Sequence, residues 1–200
     1  VFNQRRVAAS VRNTPLIAGP SSQSGIVTSP APQESVEPKT DHLKLSTANT
    51  ADQREDSKVS AAKEIEAAGG KALAIQCDIR NEEQIQDAIA KGVEAFGGID
   101  ILINNASAIS LTTTENTESK RFDLMHSINV RGTFLVSKHC IPYLKKGKNP
   151  HIITLSPPLN MDPKWFGNHL AYTLSKYNMS MMTLAFAEEF KKIPIAANTL

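Results

Sequence analysis

Two glycine pairs, Gly69–Gly70 and Gly97–Gly98, punctuate this chain, and each separates a helically spaced segment from a short run rich in apolar residues. Before the first pair, Val59, Ala62, Ile65 and Glu66 share one face of a helix that starts near Ser57, and after it Ala72 to Cys77 read as a strand. Before the second, Asn81 offers a cap for a helix over Glu82 to Phe96. After it, Ile99 to Ile103, apolar but for Asp100, reads as a strand covered on both faces, the mark of a parallel sheet. Strand and helix then keep alternating. A helix spans about Thr117 to Leu144, with Phe122, Met125, Ile128, Thr133, Val136 and Cys140 on one stripe. A strand covers His151 to Leu155, a helix runs from His169 to Phe190, and a last strand begins at Ile193 and reaches Thr199. Parallel strands need crossover helices, so the predicted fold class is α/β, a doubly wound parallel sheet of Rossmann-like type.

That pattern occupies residues 55–200. Residues 1–54 are rich in Ser, Thr, Pro, Asn and Gln with scattered apolar side chains, which predicts disorder, with brief strands at Leu16 to Ala18 and Ile26 to Thr28. Arg5, Arg6 and Arg12, several serines and no acidic side chain before Glu34 match the composition of an organelle transit peptide; a linker or a misjoined gene segment fits equally.

Composition narrows the function. In 200 residues, 40% hydrophobic, no apolar run has the length of a membrane span. The formal charge is +2, and Lys145, Lys146 and Lys148 sit together where a helix ends, so no basic stripe points to nucleic acid. Cys77 and Cys140 are too far apart for a metal motif or a disulfide framework and read as reduced core residues. None of the five histidines has a second ligand at metal spacing, and His169 is expected at the surface.

Chemistry gathers at the predicted carboxyl ends of the strands. Tyr172 and Lys176 lie four residues apart on one helix and therefore on one face. A phenol titrates near pH 10 in isolation, and a neighbouring ammonium favours its anion, which makes the pair a usable acid/base at neutral pH; an ordinary exposed helix pair has the same spacing. Ser156 ends the strand that precedes this helix, and ligands of parallel sheets bind off strand carboxyl ends. Asn104, Asn105, Ala106 and Ser107 follow another strand, where a flat ligand could lie against backbone or a plain turn could form. Asn129, three before Gly132, interrupts a helical pattern with residues that disfavour helix interiors, and such breaks gather at functional sites.

Taken in order, Asp78, Asn104 to Ala106, Asn129, Ser156 and Tyr172 with Lys176 resemble the motif set of the classical short-chain dehydrogenases/reductases, and the wording of Ser156 to Asn160 and of Asn104 to Ile109 is similar to a hydroxysteroid dehydrogenase-like branch. The resemblance covers about residues 57–200. It implies an oxidoreductase that moves hydride between NADP or NAD, with NADP favoured, and an alcohol/ketone pair on a lipid-like substrate. Tyr172 would be the acid/base, Lys176 would lower its pKa and hold the nicotinamide ribose, Asn129 would anchor a relay water, and Ser156 would hydrogen-bond the substrate oxygen. Asp78 would contact the adenine, with Asn105 and Ala106 along the adenosine. A peroxisomal or mitochondrial location is implied, and the helices over 117–144 and 169–190 offer faces for a homo-oligomer.

The chain departs from that family in several places. Ser107 stands where the family has glycine, and the separation from Ser156 to Tyr172, 172 − 156 = 16, exceeds the usual one. No Thr-Gly-x-x-x-Gly-x-Gly loop, the usual pyrophosphate cradle, precedes Ser57, and the chain stops before the Pro-Gly turn that follows the family's sixth strand. In the family's strand order, 3-2-1-4-5-6-7, the strand at 72–77 is then separated from those at 99–103, 151–155 and 194–199. The expectation is an incomplete sheet, a three-stranded parallel core with a poorly anchored strand at 72–77. A reading of a different class follows: a catalytically inactive fragment that packs its helices against a partner.

Overall fold

The structure, a computed structural model, describes residues 8–10 and 62–200. The expectations of disorder over 1–54, of strands at 16–18 and 26–28, and of a helix start at Ser57 lie outside the described residues, apart from a short strand at 8–10 that the sequence did not suggest.

In chain order the elements are β1 (Ala8–Ser10), α1 (62–67), α2 (Glu82–Phe96), β2 (Ile101–Asn104), α3 (Ser119–Met125), a π-helical segment (His126–Gly132), α4 (Thr133–Leu144), β3 (His151–Thr154), α5 (Leu170–Glu189) and β4 (Ala196–Thr199). Strands β2, β3 and β4 are parallel and in sequence order, with Ile101 beside His151 and His151 beside Ala196. β1 pairs antiparallel on the outer edge of β2, Ala9 opposite Leu102. The three-stranded parallel core is therefore as expected, and the strand beside it differs.

Residues 71–78 form no strand, which corrects the expectation for 72–77. A strand is held by neighbours on its edges, and among the described residues no strand pairs with this segment, so apolar composition alone does not keep it extended in a ladder. Residues 62–74 fall in a unit separate from 75–200. Within it α1 is followed by Gly69 at φ 83°, a left-handed turn that favours glycine.

Helix α2 forms where capping residues bracket it. Asn81 Oδ1 accepts from the backbone N–H of Gln84 at 3.1 Å, and Gly97 closes the other end at φ 85°. Along β2 and β3 burial alternates, so Leu102, Asn104, Ile152 and Thr154 share the buried face. Leu102 and Ile152 join Ile85 and Ile89 of α2, Leu135, Val136 and Cys140 of α4, and Phe186 of α5 in one core. Cys140 is buried there, and burial pushes its thiol up to about 12, so it is an inert packing residue. Cys77 is half-buried at the margin of the core, and burial raises its thiol too.

The helix predicted over 117–144 is three pieces. Its middle, at Asn129 and Gly132, widens into the π-helical segment, the kind of local irregularity that accumulates at functional sites. The segment also makes a close approach: a Cβ on Gly132 would stand 2.6 Å from Ile79 Cδ1 and 3.2 Å from the Ile79 carbonyl oxygen, so any larger residue here would force Ile79 to shift.

Candidate active site

Four local structures meet at the carboxyl ends of β2 and β3. The first is the loop that leaves β2. Asn104 is buried, and its Nδ2 donates to Ser137 Oγ of α4 at 3.0 Å, which fixes the strand end against that helix. Asn104, Asn105 and Ala106, with Ile79, Ile103, Thr133 and Val136, line a small cleft. Whole-ligand pockets run to roughly 300–1,000 Å³, whereas this cleft admits little more than a water-sized group, so it is a subsite rather than a complete pocket.

The second is the π-helical segment. Asn129 is fully buried, its Oδ1 accepts from the Ala108 N–H at 2.7 Å, and its Nδ2 donates to the Ala108 carbonyl at 2.9 Å and to Ser175 Oγ at 2.9 Å. One side chain thus clamps the β2 loop to α5. Both of its N–H donors are committed, leaving a lone pair on Oδ1 as its remaining capacity.

The third is α5. Ser175 Oγ donates to the Tyr172 carbonyl at 2.8 Å and accepts from Asn129, so the turn between Tyr172 and Lys176 is tied to the π-helical segment. Tyr172 and Lys176 are both half-buried. Lys176 Nζ donates to the Leu155 carbonyl at 2.5 Å, just beyond β3, which places this face of α5 against the strand's carboxyl end. Burial lowers the Lys176 pKa, because a desolvated ammonium is disfavoured.

The fourth is the end of β3. Ser156 is buried, and its Oγ has no hydrogen-bond partner among the described residues; Thr154 Oγ1, two residues earlier on the same face, is in the same condition. Buried hydroxyls are ordinarily paired, so these two keep unused hydrogen-bonding capacity at the carboxyl end of β3. His169, expected at the surface, is half-buried, and its Nδ1 is enclosed without a partner.

Asp78 stands apart. Its carboxylate is taken up by Arg80, Nε at 2.9 and 3.0 Å and Nη2 at 2.5 Å, and it is absent from the lining of the cleft; the Arg80 hydrogen bonds hold its pKa below the ordinary value. Arg131, at the end of the π-helical segment, fastens the Arg80 carbonyl at 2.6 Å. Ser107 makes only a long contact, 3.4 Å, to the neighbouring Ala108 carbonyl. Sequence reasoning passed over Ser137, Ser175 and Ala108. The first two are small polar residues at positions that helical spacing assigns to packing, and Ala108 acts through its backbone, which leaves no mark in the sequence.

An α/β sheet with an amide-lined cleft after one strand, a buried serine after the next and a Tyr-x-x-x-Lys helix beside both defines the class. The profile of the short chain dehydrogenase family matches residues 44–200, and the chain belongs to that family. Among curated relatives it is similar to hydroxysteroid dehydrogenase-like protein 2, at 62% identity over 141 residues to the protein of Rattus norvegicus and 60% over 141 residues to that of Homo sapiens. The match takes in 70% of this chain but 27% and 34% of those proteins, so the chain spans about a third of their length. Among solved structures it is similar to a short chain dehydrogenase of Mycobacterium thermoresistibile, with TM-score 0.68, 53% identity, and 70% of this chain matched to 50% of that one. A dehydrogenase/reductase of Sinorhizobium meliloti gives TM-score 0.65 and 32% identity, over 74% of this chain and 57% of the other.

Proposed function

We propose that the chain carries the chemical half of an NAD(P)-dependent oxidoreductase that interconverts an alcohol and a ketone on a lipid-like substrate. The observation that supports this best is the hydrogen bond from Lys176 to the Leu155 carbonyl. It brings the helix face that carries Tyr172 and Lys176 to the strand end where the orphaned Ser156 hydroxyl lies. These residues fit the nicotinamide-ribose end of a dinucleotide, since an ammonium has three N–H donors and only one is spent on Leu155. A nicotinamide cofactor, when bound, supplies or accepts the hydride.

Tyr172 gives its phenolic proton to the carbonyl oxygen in the reductive direction and takes it back in the oxidative one. Lys176, with two donors beyond the one on Leu155, would hold the ribose hydroxyls and favour the tyrosinate left after transfer. Ser156 donates to the same substrate oxygen, which orients it toward Tyr172. Asn129 holds the Ala108 backbone and Ser175 in place, and its Oδ1 lone pair is where the relay water expected from the family pattern would bind. Asn105 and Ala106, which line the cleft after β2, would hold the adenosine. Asp78, its carboxylate oriented by Arg80, would contact the adenine.

The test is a titration with NADPH and NADH, followed by cofactor fluorescence or heat. Saturable binding that Lys176→Ala abolishes supports the oxidoreductase, and no binding at millimolar cofactor favours the second reading, a non-catalytic fragment. That reading draws on the small cleft, which is too small to enclose a dinucleotide.

Two further points belong to the same proposal. Phe134, Met181 and Leu184 are large apolar side chains left exposed on α4 and α5, which supports a homo-oligomer through these helices, to be read from light scattering after gel filtration. A peroxisomal or mitochondrial address, supported by the arginine-rich, acid-free N-terminal composition, is checked by imaging a fluorescent fusion.

A further inference from the structure

The segment that leaves β3, residues 157–166, is stitched to one face of α5. Ser180 Oγ donates to the Pro157 carbonyl at 2.5 Å, Tyr177 hydroxyl to the Asn160 carbonyl at 2.8 Å, and Thr173 Oγ1 to the Trp165 carbonyl at 2.9 Å. These three donors sit at spacings of four and three, so they form a single row along the helix. Tyr177 is the centre of the row and is itself buried, 8% exposed, with its ring edge-on to Phe166 at 5.2 Å between centroids. It therefore holds the segment twice, by its ring at one point and by its hydroxyl at another.

Inside the segment, short local bonds set the shape but give no anchorage. Asn160 Oδ1 accepts from the Asp162 N–H, and Asp162 Oδ1 accepts from the Lys164 N–H. What the segment carries outward is apolar. Leu159, Met161 and Trp165 are exposed, Met161 at 78% and Trp165 at 52%. Across the sheet edge, the loop after β2 exposes Ile109 and Leu111. Both loops rise from the carboxyl ends of neighbouring parallel strands, so large apolar side chains flank the ends where Ser156 and Asn104 lie.

We propose that Tyr177 is a positioning residue of the substrate mouth: its hydroxyl and ring fix the 157–166 segment on α5, and so set how well the apolar part of a substrate is held, without touching the reacting atoms. The inference rests on the oxidoreductase reading for the word substrate; the anchoring itself does not. Tyr177 is distinct in this from Tyr172, five residues earlier, which has the chemical role. The ligand it serves is a carbonyl compound with a long aliphatic chain, whose apolar surface matches the exposed apolar side chains of the two loops.

The variant that isolates the effect is Tyr177→Phe, which keeps the ring against Phe166 and removes only the donor to Asn160. Amide hydrogen exchange is followed across the chain. NADPH-dependent reduction is measured on two probes, decan-2-one and butan-2-one. Exchange over 157–166 is expected to quicken about three- to tenfold, the loss of one neutral hydrogen bond, with α2 and β3 unaltered. KM for decan-2-one is expected to rise by a similar factor, with kcat held and KM for butan-2-one unaltered. Trp165, the chain's single tryptophan, lies in the segment, so greater quenching of its emission by acrylamide is a second readout.

Unchanged exchange over 157–166 overturns the proposal, and so does exchange that quickens throughout the chain or an equal loss with both ketones, since those mark a merely structural tyrosine. If Tyr177→Phe does not fold, Thr173→Val removes the tether at Trp165 and is judged by the same readouts. Absence of turnover in the unsubstituted chain counts against the oxidoreductase reading alone, and exchange then decides whether Tyr177 anchors the segment.

Discussion

Asn129 Nδ2 donates to Ser175 Oγ across 2.9 Å, joining residues 46 apart in the chain, and Ser175 stands one position before Lys176. With its two bonds to Ala108, Asn129 links the β2 loop, the π-helical segment and α5. Truncation leaves the part-buried Ala108 N–H and carbonyl without their side-chain partner and takes one of its two hydrogen bonds from the Ser175 hydroxyl, at about 1–3 kcal/mol for each group left unpaired. Asn129→Ala should lower stability by about 2–4 kcal/mol, read from urea midpoints. A double-mutant cycle with Ser175→Ala should give a coupling of about 1 kcal/mol, and strict additivity would show that the pair does not interact.

Gly132 and Gly92 are both helical glycines, yet opposite outcomes follow from their surroundings. At Gly132 a methyl group meets Ile79, side chain and carbonyl, whereas at Gly92 nothing lies within 4 Å. Gly132→Ala should destabilise by about 1–3 kcal/mol through overpacking. Gly92→Ala should stabilise α2 by about 0.5–1 kcal/mol, because only backbone entropy changes. Thermal unfolding of the two variants side by side decides it.

Asp78 supplies a pH dependence. Its pKa is lowered in the folded chain, chiefly by the hydrogen bonds from Arg80, so the folded state prefers the carboxylate more than the unfolded state does. The pair's stabilisation is present above the ordinary aspartate value of 3.8 and is lost as pH falls through the lowered one. Asp78→Asn should therefore be less stable than the parent at pH 7, and the gap should narrow under strong acid. A gap that stays constant across urea titrations at both pH values would contradict the assignment.

Tyr172→Phe removes the proposed proton donor while leaving the ring. Loss of a general acid costs about 10²–10⁴-fold in rate, so kcat with saturating NADPH should fall by that range. Retention of full turnover would remove Tyr172 from the chemistry.

How much of this was legible in the sequence differs element by element. The two capped ends of α2, the parallel order of β2, β3 and β4, and the shared face of Tyr172 and Lys176 follow from local rules: a cap at Asn81, a left-handed glycine at Gly97, and the 3.6-residue period of a helix. The break at Asn129 was visible as an anomaly, but its meaning was not. That asparagine and a nearby glycine disfavour a helix is local; that Gly132 lies against Ile79 and that Asn129 holds Ala108 are tertiary contacts.

The strand expected at 72–77 shows the same limit from the other side, since its composition is that of a strand, yet among the described residues no strand pairs with it. By itself the sequence determined what acts over a few residues: helix periods, caps, and the ordered set of residues that marks the family. Tertiary structure alone decided which backbone carbonyls Lys176, Tyr177 and Ser180 would reach, that Asp78 would be spent on Arg80, and that Ser156 would be buried unpaired. The physical reason is that a hydrogen bond to a main-chain group carries no side-chain signature, and its partner is chosen only when distant segments pack.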